Sequence, residues 1–119
     1  MSVSPTYRAY VLEQLMPLGA VTARAMFGGL GLYHDGQFFG LVDDDTLYLK
    51  VDDSTRGDYE RAGTGPFRPL PNEGPSMGYY EVPAEVLEDR DALREWAAKA
   101  VEVARRKAGT RVKRPKPRK

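Results

Sequence analysis

The stretch VTARAMFGGLGLYHDGQFFGLVDDDTLYLKV, Val21 to Val51, decides the fold. Turn residues divide it into the runs Val21 to Phe27, Leu30 to Tyr33, Gln37 to Val42 and Thr46 to Val51, all rich in β-branched and aromatic side chains. Runs of that length and composition read as strands. Asp35-Gly36 between two of them predicts a hairpin, because a type I′ turn demands positive φ at both central residues, which Asp and Gly tolerate. Asp43, Asp44 and Asp45 predict the next turn. Strands joined by tight hairpins pair antiparallel, so the sheet is expected to be mainly antiparallel.

Within this stretch Gly28, Gly29 and Gly31 interrupt strand sequence. A phosphate cradle of the dinucleotide or P-loop kind opens into a helix whose N-terminus faces the anion, and here strands follow instead. The residue pattern predicts a tight turn or bulge that lets two strands join sharply. The other reading is a backbone-lined binding spot.

Upstream, Ser4-Pro5 is a helix start, with a hydroxyl to cap free N–H groups and a proline whose missing N–H costs nothing there. Tyr7, Val11, Leu12, Leu15 and Met16 form its apolar stripe, and Pro17 and Gly19 stop it. Downstream, Asp52 or Asp53 caps a short helix to about Ala62, with Tyr59 as its core residue and Gly63 as the stop. Gly65 to Ser76, with Pro66, Pro69, Pro71 and Pro75, reads as a loop holding one short edge strand near Phe67. Met77 to Val82 is the last strand. Asp89 to Lys107 carries Leu93, Trp96, Ala97, Ala100, Val101 and Ala104 on one face of an amphipathic helix. The class is α+β in two layers, helices packed on one sheet.

At 119 residues the chain fits one domain. Its net charge of +1 hides an asymmetry. Arg105 to Lys119 holds nine of the 18 basic residues and no acid, which leaves nine bases against 17 acids upstream, a body of −8 beside a tail of +9. An acidic body repels phosphate, so phosphate contact is expected of the tail, through Arg111, Lys113, Arg114, Lys116, Arg118 and Lys119. The division is a folded unit 1–108 and a basic tail 109–119 that two prolines and like charges keep disordered when free. Docking on an acidic surface, or simple solubility, accounts for the tail equally well. No segment is apolar and long enough for a membrane span, and none resembles a secretion leader, so a cytoplasmic protein is expected.

Little supports catalysis. The chain has no cysteine, which removes disulfides, thiolate metal sites and thiol nucleophiles. His34, the single histidine, sits beside the Asp35-Gly36 turn and reads as an exposed hairpin residue rather than a general base. Ser2, Ser4, Ser54 and Ser76 are the only serines, and none lies in a nucleophile elbow. Asp43 to Asp45 are consecutive, whereas a calcium loop converges alternate positions. No metal and no cofactor is expected. Tyr33, Phe38, Phe39, Tyr48, Phe67, Tyr79 and Tyr80 could stack on bases, but Lys50 alone among basic residues interleaves with them, so core packing and a subunit interface are the expectation for most.

Three blocks occur in order: Arg24-x-Met26-Phe27-Gly28-Gly29-x-Gly31-Leu32-Tyr33, then Leu47 to Asp52, then Met77-x-Tyr79-Tyr80-Glu81-x-Pro83. Together they resemble the TfoX/Sxy N-terminal domain over roughly Tyr7 to Arg106. The resemblance implies an α-β(3)-α-β(2)-α domain of the secretion-chaperone-like type, with a homodimer as its expected assembly. Members are linked to regulation of natural competence and to co-activation with the cyclic-AMP receptor protein, and no motif residue has a catalytic role to transfer. Fuller members carry a second helical domain, where this chain has a basic tail.

The expected function is therefore a non-enzymatic regulatory or protein-interaction domain. Its partner would be a transcription factor, such as a cyclic-AMP receptor protein, or RNA polymerase, with weak non-specific DNA contact through the tail. The alternative is an anionic-ligand-binding domain or an uncharacterised enzyme with a pocket near Arg24, Gly28, Gly29, Lys50 and Tyr80, in which Arg24 supplies a planar fork and Lys50 a point charge. A third reading pairs Arg24 with a local acid and leaves the glycines to shape the sheet. Motif residues for either working site are Arg24, Met26, Phe27, Gly28, Gly29, Gly31, Tyr33, Lys50, Tyr79 and Tyr80.

Overall fold

Ser4 begins the first helix as its residue type dictates: the hydroxyl accepts from Tyr7 N at 3.1 Å and Pro5 takes the first helical position. A computed structural model of the chain describes residues 3–26, 28–68 and 76–113. In it the elements run α1 (Pro5–Gln14), a 3-10 turn (Met16–Leu18), β1 (Thr22–Met26), β2 (Gly29–His34), β3 (Gln37–Asp43), β4 (Thr46–Lys50), α2 (Arg56–Arg61), β5 (Pro66–Phe67), β6 (Ser76–Glu81), α3 (Ala84–Leu87) and α4 (Arg90–Lys113). The fold is α+β, as the residue pattern predicts. Four strands precede α2, one more than the order α-β(3)-α-β(2)-α counts, because β1 and β2 are separate strands that pair with each other.

The strands form one antiparallel sheet in the order β1-β2-β3-β4-β6-β5. Its turns obey the local chemistry. Asp35 and Gly36 both have positive φ, 53° and 77°, inside the register pair His34 and Gln37. Asp44 and Asp45 do the same at 54° and 53° between Asp43 and Thr46, and Asp45 Oδ1 also accepts from Ser4 N at 2.8 Å. The proline of β5 stands at the sheet edge, where its missing donor is harmless.

α1 and α4 cover one face. Their buried residues Val11, Leu15, Leu93, Ala97, Ala100 and Val101 meet Leu32, Phe39, Leu47, Leu49, Tyr80 and Val82 from the sheet in one core. Each large aliphatic side chain removed from water there contributes about 1.5–3 kcal/mol. Asp89 caps α4 by accepting from Asp91 N and Ala92 N. Tyr59 of α2 is buried edge-on against Trp96, ring centroids 4.7 Å apart.

Several expectations change. Met16 leaves the α1 stripe for the 3-10 turn and is 65% exposed, while Gln14 is buried instead. There Gln14 Nε2 donates to Leu87 O and its Oε1 accepts from Arg90 Nε, tying α1 to the α3–α4 corner. α2 starts at Thr55 rather than on an Asp cap, because Asp52 spends its carboxylate on Ser54 and Arg106. Gly63, at φ 87°, stops it as expected. α3 is a helix the sequence reading leaves out. α4 runs through Gly109, where the tail was to begin, and continues to Lys113. One interior glycine costs about 1 kcal/mol, too little to end a helix of 24 residues anchored over the preceding turns. The disorder expected of Arg114 to Lys119 lies outside the described residues, as do Pro69, Pro71 and Pro75.

Candidate functional site

Among the described residues no helix packs on the second face of the sheet, and its side chains follow from register. Arg24 pairs with Gly31, Gly31 with Leu41, Leu41 with Tyr48 and Tyr48 with Glu81, so these share that face. Tyr33 with Phe38 and Lys50 with Tyr79 share it too. Leu32, Leu49 and Tyr80 alternate onto the helix-covered side.

Two features occupy the second face. The first is a run of rings bearing cations. Tyr33 and Phe38 lie 5.2 Å apart and Phe38 and Tyr79 5.8 Å, in tilted contact. The Arg24 guanidinium lies 5.5 Å from the Tyr33 centroid, and Lys50 Nζ lies 5.6 Å and 5.2 Å from those of Phe38 and Tyr79. Those separations are within cation–π range. Burial, reinforced by neighbouring Tyr33, pushes the Tyr79 phenol up to about 12, so it remains a neutral ring at physiological pH. Among the described residues Arg24 has no carboxylate partner within ion-pair distance.

The second feature is an apolar groove of about 260 Å³ whose lining includes Met26, Gly29, Phe38, Leu41, Asp43 and Phe67. The glycine motif makes room for it. Gly28 turns the chain with φ 84°. A Cβ on Gly31 would stand 2.6 Å from Met26 Sδ and 3.1 Å from Phe38 Cε1, so glycine lets those side chains close over β2 in the positions they hold. Phe67 reaches across from β5 to Tyr48, 4.8 Å between centroids.

A family model for the TfoX N-terminal domain matches residues 13–104. The chain belongs to the TfoX N-terminal domain family. No curated protein matches the sequence. The family match covers the whole sheet, both features of its second face and α4 as far as Ala104, whereas the basic segment beyond lies outside it.

Within this TfoX N-terminal domain the motif residues do not form one pocket. Arg24, Met26, Gly31, Tyr33, Lys50 and Tyr79 gather on the second face, and Gly28 and Gly29 form the turn beside the groove. Tyr80 stands apart. It is 2% exposed in the core, its phenol pushed up by burial and by donating to Glu60 Oε2 at 3.2 Å. Phe27 lies outside the described residues, and so do Arg114, Lys116, Arg118 and Lys119. Arg111 and Lys113 fall on the last turns of α4.

His34 is a structural correction: its side chain is 17% exposed, not free on a hairpin, with Nδ1 donating to Ala20 O at 2.7 Å over Gly19. Gly19 leaves room for that ring, a pairing invisible in sequence because the partners stand 15 residues apart. Of the β3–β4 turn aspartates, Asp45 accepts from Ser4 N, and among the described residues no group of three or more His, Cys, Asp or Glu side chains that could hold a metal ion forms. No described helix is long and apolar enough to cross a membrane.

One electrostatic cluster was not foreseen. Asp52 Oδ1 accepts from Ser54 Oγ at 2.7 Å and from Ser54 N at 3.0 Å, while Oδ2 accepts from Arg106 Nη2 at 2.6 Å. These bonds hold its carboxyl down at about 2. They lash α4 to the loop leaving β4, and Lys99 paired to Asp58 ties it to α2. The acidic tract and basic helix that the composition separates are here partly each other's counterions.

Proposed function

We propose that this TfoX-family domain is a non-enzymatic interaction module of a transcription or competence regulator, and that it docks a partner protein through the groove beside the glycine motif. The groove carries the reading. It is concave, apolar and on a sheet face that no described helix covers, and an exposed apolar patch of this kind marks an interaction site. Small-molecule sites usually reach about 300–1,000 Å³ with several convergent polar groups. This groove has about 260 Å³ and Asp43 in its lining, dimensions that suit one or two inserted side chains of a protein. Such an anchor in a desolvated pocket supplies most of the energy of a protein interface.

The partner would be a cyclic-AMP receptor protein, RNA polymerase or a second copy of the chain, in the cytoplasm. Met26→Glu and Leu41→Glu place a charge in the groove. Calorimetry with each purified candidate should show binding by the parent chain and at least tenfold weaker binding by both variants, while sedimentation tests the second copy. Unchanged binding by variants that keep the parent melting temperature would remove the groove from the interface. The anionic-ligand alternative predicts stabilisation by nucleotides or metabolites that is lost in Arg24→Ala and Lys50→Ala, and a thermal-shift screen reads it directly.

A further inference from the structure

The two edges of the sheet are unlike. β5 closes one side with two residues, the first of them Pro66. β1 closes the other with five, Thr22–Met26, and has no proline, no lysine and no register shift against β2. Short strands, proline, lysine and bulges are the devices that stop an edge from pairing with another chain. β5 has two of them and β1 none.

The register shows which backbone groups of β1 are free. Asp35-Gly36 is a two-residue turn, so the pair His34 and Gln37 closes it with hydrogen bonds to each other. Direction alternates along a strand, so Leu30, Leu32 and His34 bond toward β3 while Gly29, Gly31 and Tyr33 bond toward β1. Their partners Met26, Arg24 and Thr22 spend their N–H and C=O groups on β2. Those of Ala23 and Ala25 therefore point away from the sheet, and among the described residues no backbone bond from a turn, loop or cap reaches them. Ala25 is also exposed.

Each flank of this edge adds its own chemistry. On the helix side an open groove of about 570 Å³ lies between α1 and the chain that runs into β1, its lining including Leu12, Met16 and Val21. Met16 is the large hydrophobic residue that stands exposed among the described residues. Glu13, also in the lining, is paired with Arg90. On the second face stands Arg24, whose guanidinium leans inward over Tyr33 of β2 and so leaves the edge open. Stacking uses the flat face of a guanidinium, and the N–H groups in its plane remain to grip a carboxylate. Among the described residues none lies within ion-pair distance.

We propose that β1 takes an extended segment of a partner protein as an added strand of the sheet. Main-chain bonds to Ala23 and Ala25 hold it, as in other cases of strand addition, and alternate side chains give specificity. Those on the helix side are apolar and reach the groove of Leu12 and Met16, and one on the opposite side is a carboxylate for Arg24. The occupant is thus an extended peptide that alternates apolar residues with Asp or Glu. This goes beyond docking in the groove beside the glycine motif, and the two surfaces share only Met26.

Fluorescence anisotropy on the full chain tests it with a labelled peptide of about seven residues alternating valine with glutamate, long enough to span β1, and with a second peptide in which lysine replaces glutamate. The parent should bind the glutamate peptide about tenfold more tightly. Arg24→Glu should reverse that preference, an outcome that loss of fold cannot imitate. N-methylating alternate backbone amides of the peptide should abolish binding for one set of positions and spare it for the other. Met16→Glu should weaken binding severalfold at an unchanged melting temperature, while Leu41→Glu, in the groove of the second face, should leave it as in the parent. Equal affinity for the two peptides, an unreversed preference in Arg24→Glu, or tolerance of both N-methylated sets would overturn the proposal. A peptide lost in Leu41→Glu and kept in Met16→Glu would do the same by placing it on the second face. So would a chain that binds neither peptide and sediments as a dimer dissolved by Ala25→Pro, since the edge would then belong to a second copy.

Discussion

The two faces of this one sheet are built from the same kinds of residue and do opposite things. Phe38 and Phe39 are neighbours in sequence, yet Phe39 is fully buried under the helices while Phe38 lies half-buried on the face that no described helix covers. Tyr79 and Tyr80 divide the same way. One face spends its apolar surface on stability. The other keeps it available, with cations against the rings and a groove beside the glycine turn.

The sharpest way to break that comparison is to truncate each phenylalanine. Phe39→Ala should cost about 3–5 kcal/mol, since it removes a filled core volume, and Phe38→Ala only about 1 kcal/mol, for a half-exposed ring with aromatic neighbours. Chemical denaturation measures both, and equal losses would mean that the second face is a core.

Next in size is the backbone beside the groove. A Cβ on Gly29 would stand 2.3 Å from Val42 O, whereas one on Gly65 would meet nothing within 4 Å. Gly29→Ala should destabilise by about 2–3 kcal/mol, as overpacking against a fixed backbone does. Gly65→Ala should be close to neutral. If Gly29→Ala is tolerated, the β1–β2 turn is looser than its register implies.

Gln14 tests the covered side in the polar sense. Gln14→Ala removes the donor to Leu87 O and the acceptor of Arg90 Nε, and should cost about 1–2 kcal/mol with no effect on any ligand of the second face.

The smallest effect sits where α4 meets β4. Asp52 titrates at about 2 in the folded chain against an ordinary 3.8, so the folded state favours its charged form. The stabilisation is present above the ordinary value and is lost as pH falls from about 3.8 to about 2. Arg106 is half exposed, which limits the pair to about 1 kcal/mol or less. Asp52→Asn should flatten stability against pH in that window and leave the neutral-pH value slightly lower. A parallel acid limb in the variant would assign the pH dependence to other carboxylates.

Much of the fold was legible because its signals are local. The Ser4 cap, the Asp35-Gly36 turn, the edge strand at Phe67 and the apolar face of α4 each depend on residues a few positions apart. The misses share a different cause. Gln14 looks like surface until Leu87 and Arg90 arrive, 73 and 76 residues away, to satisfy its amide. His34 looks exposed until Gly19 and Ala20 receive it. Asp52 reads as a cap because nothing nearby reveals Arg106. Of the site, the motif residues were identifiable, but their grouping was not: Lys50 and Tyr79 belong together and Tyr80 does not.

The sequence alone determined a two-layer α+β domain with antiparallel hairpins, the glycine turn, the family and the charge division between body and tail. Only the tertiary structure decided which face of the sheet is core. Both faces carry large apolar side chains, as Phe38-Phe39, Tyr48-Leu49 and Tyr79-Tyr80 show, so period-two alternation has no polar side to mark as solvent. The choice falls to α1 and α4, whose apolar stripes bury against one face and leave the rings and cations of the other outside that core.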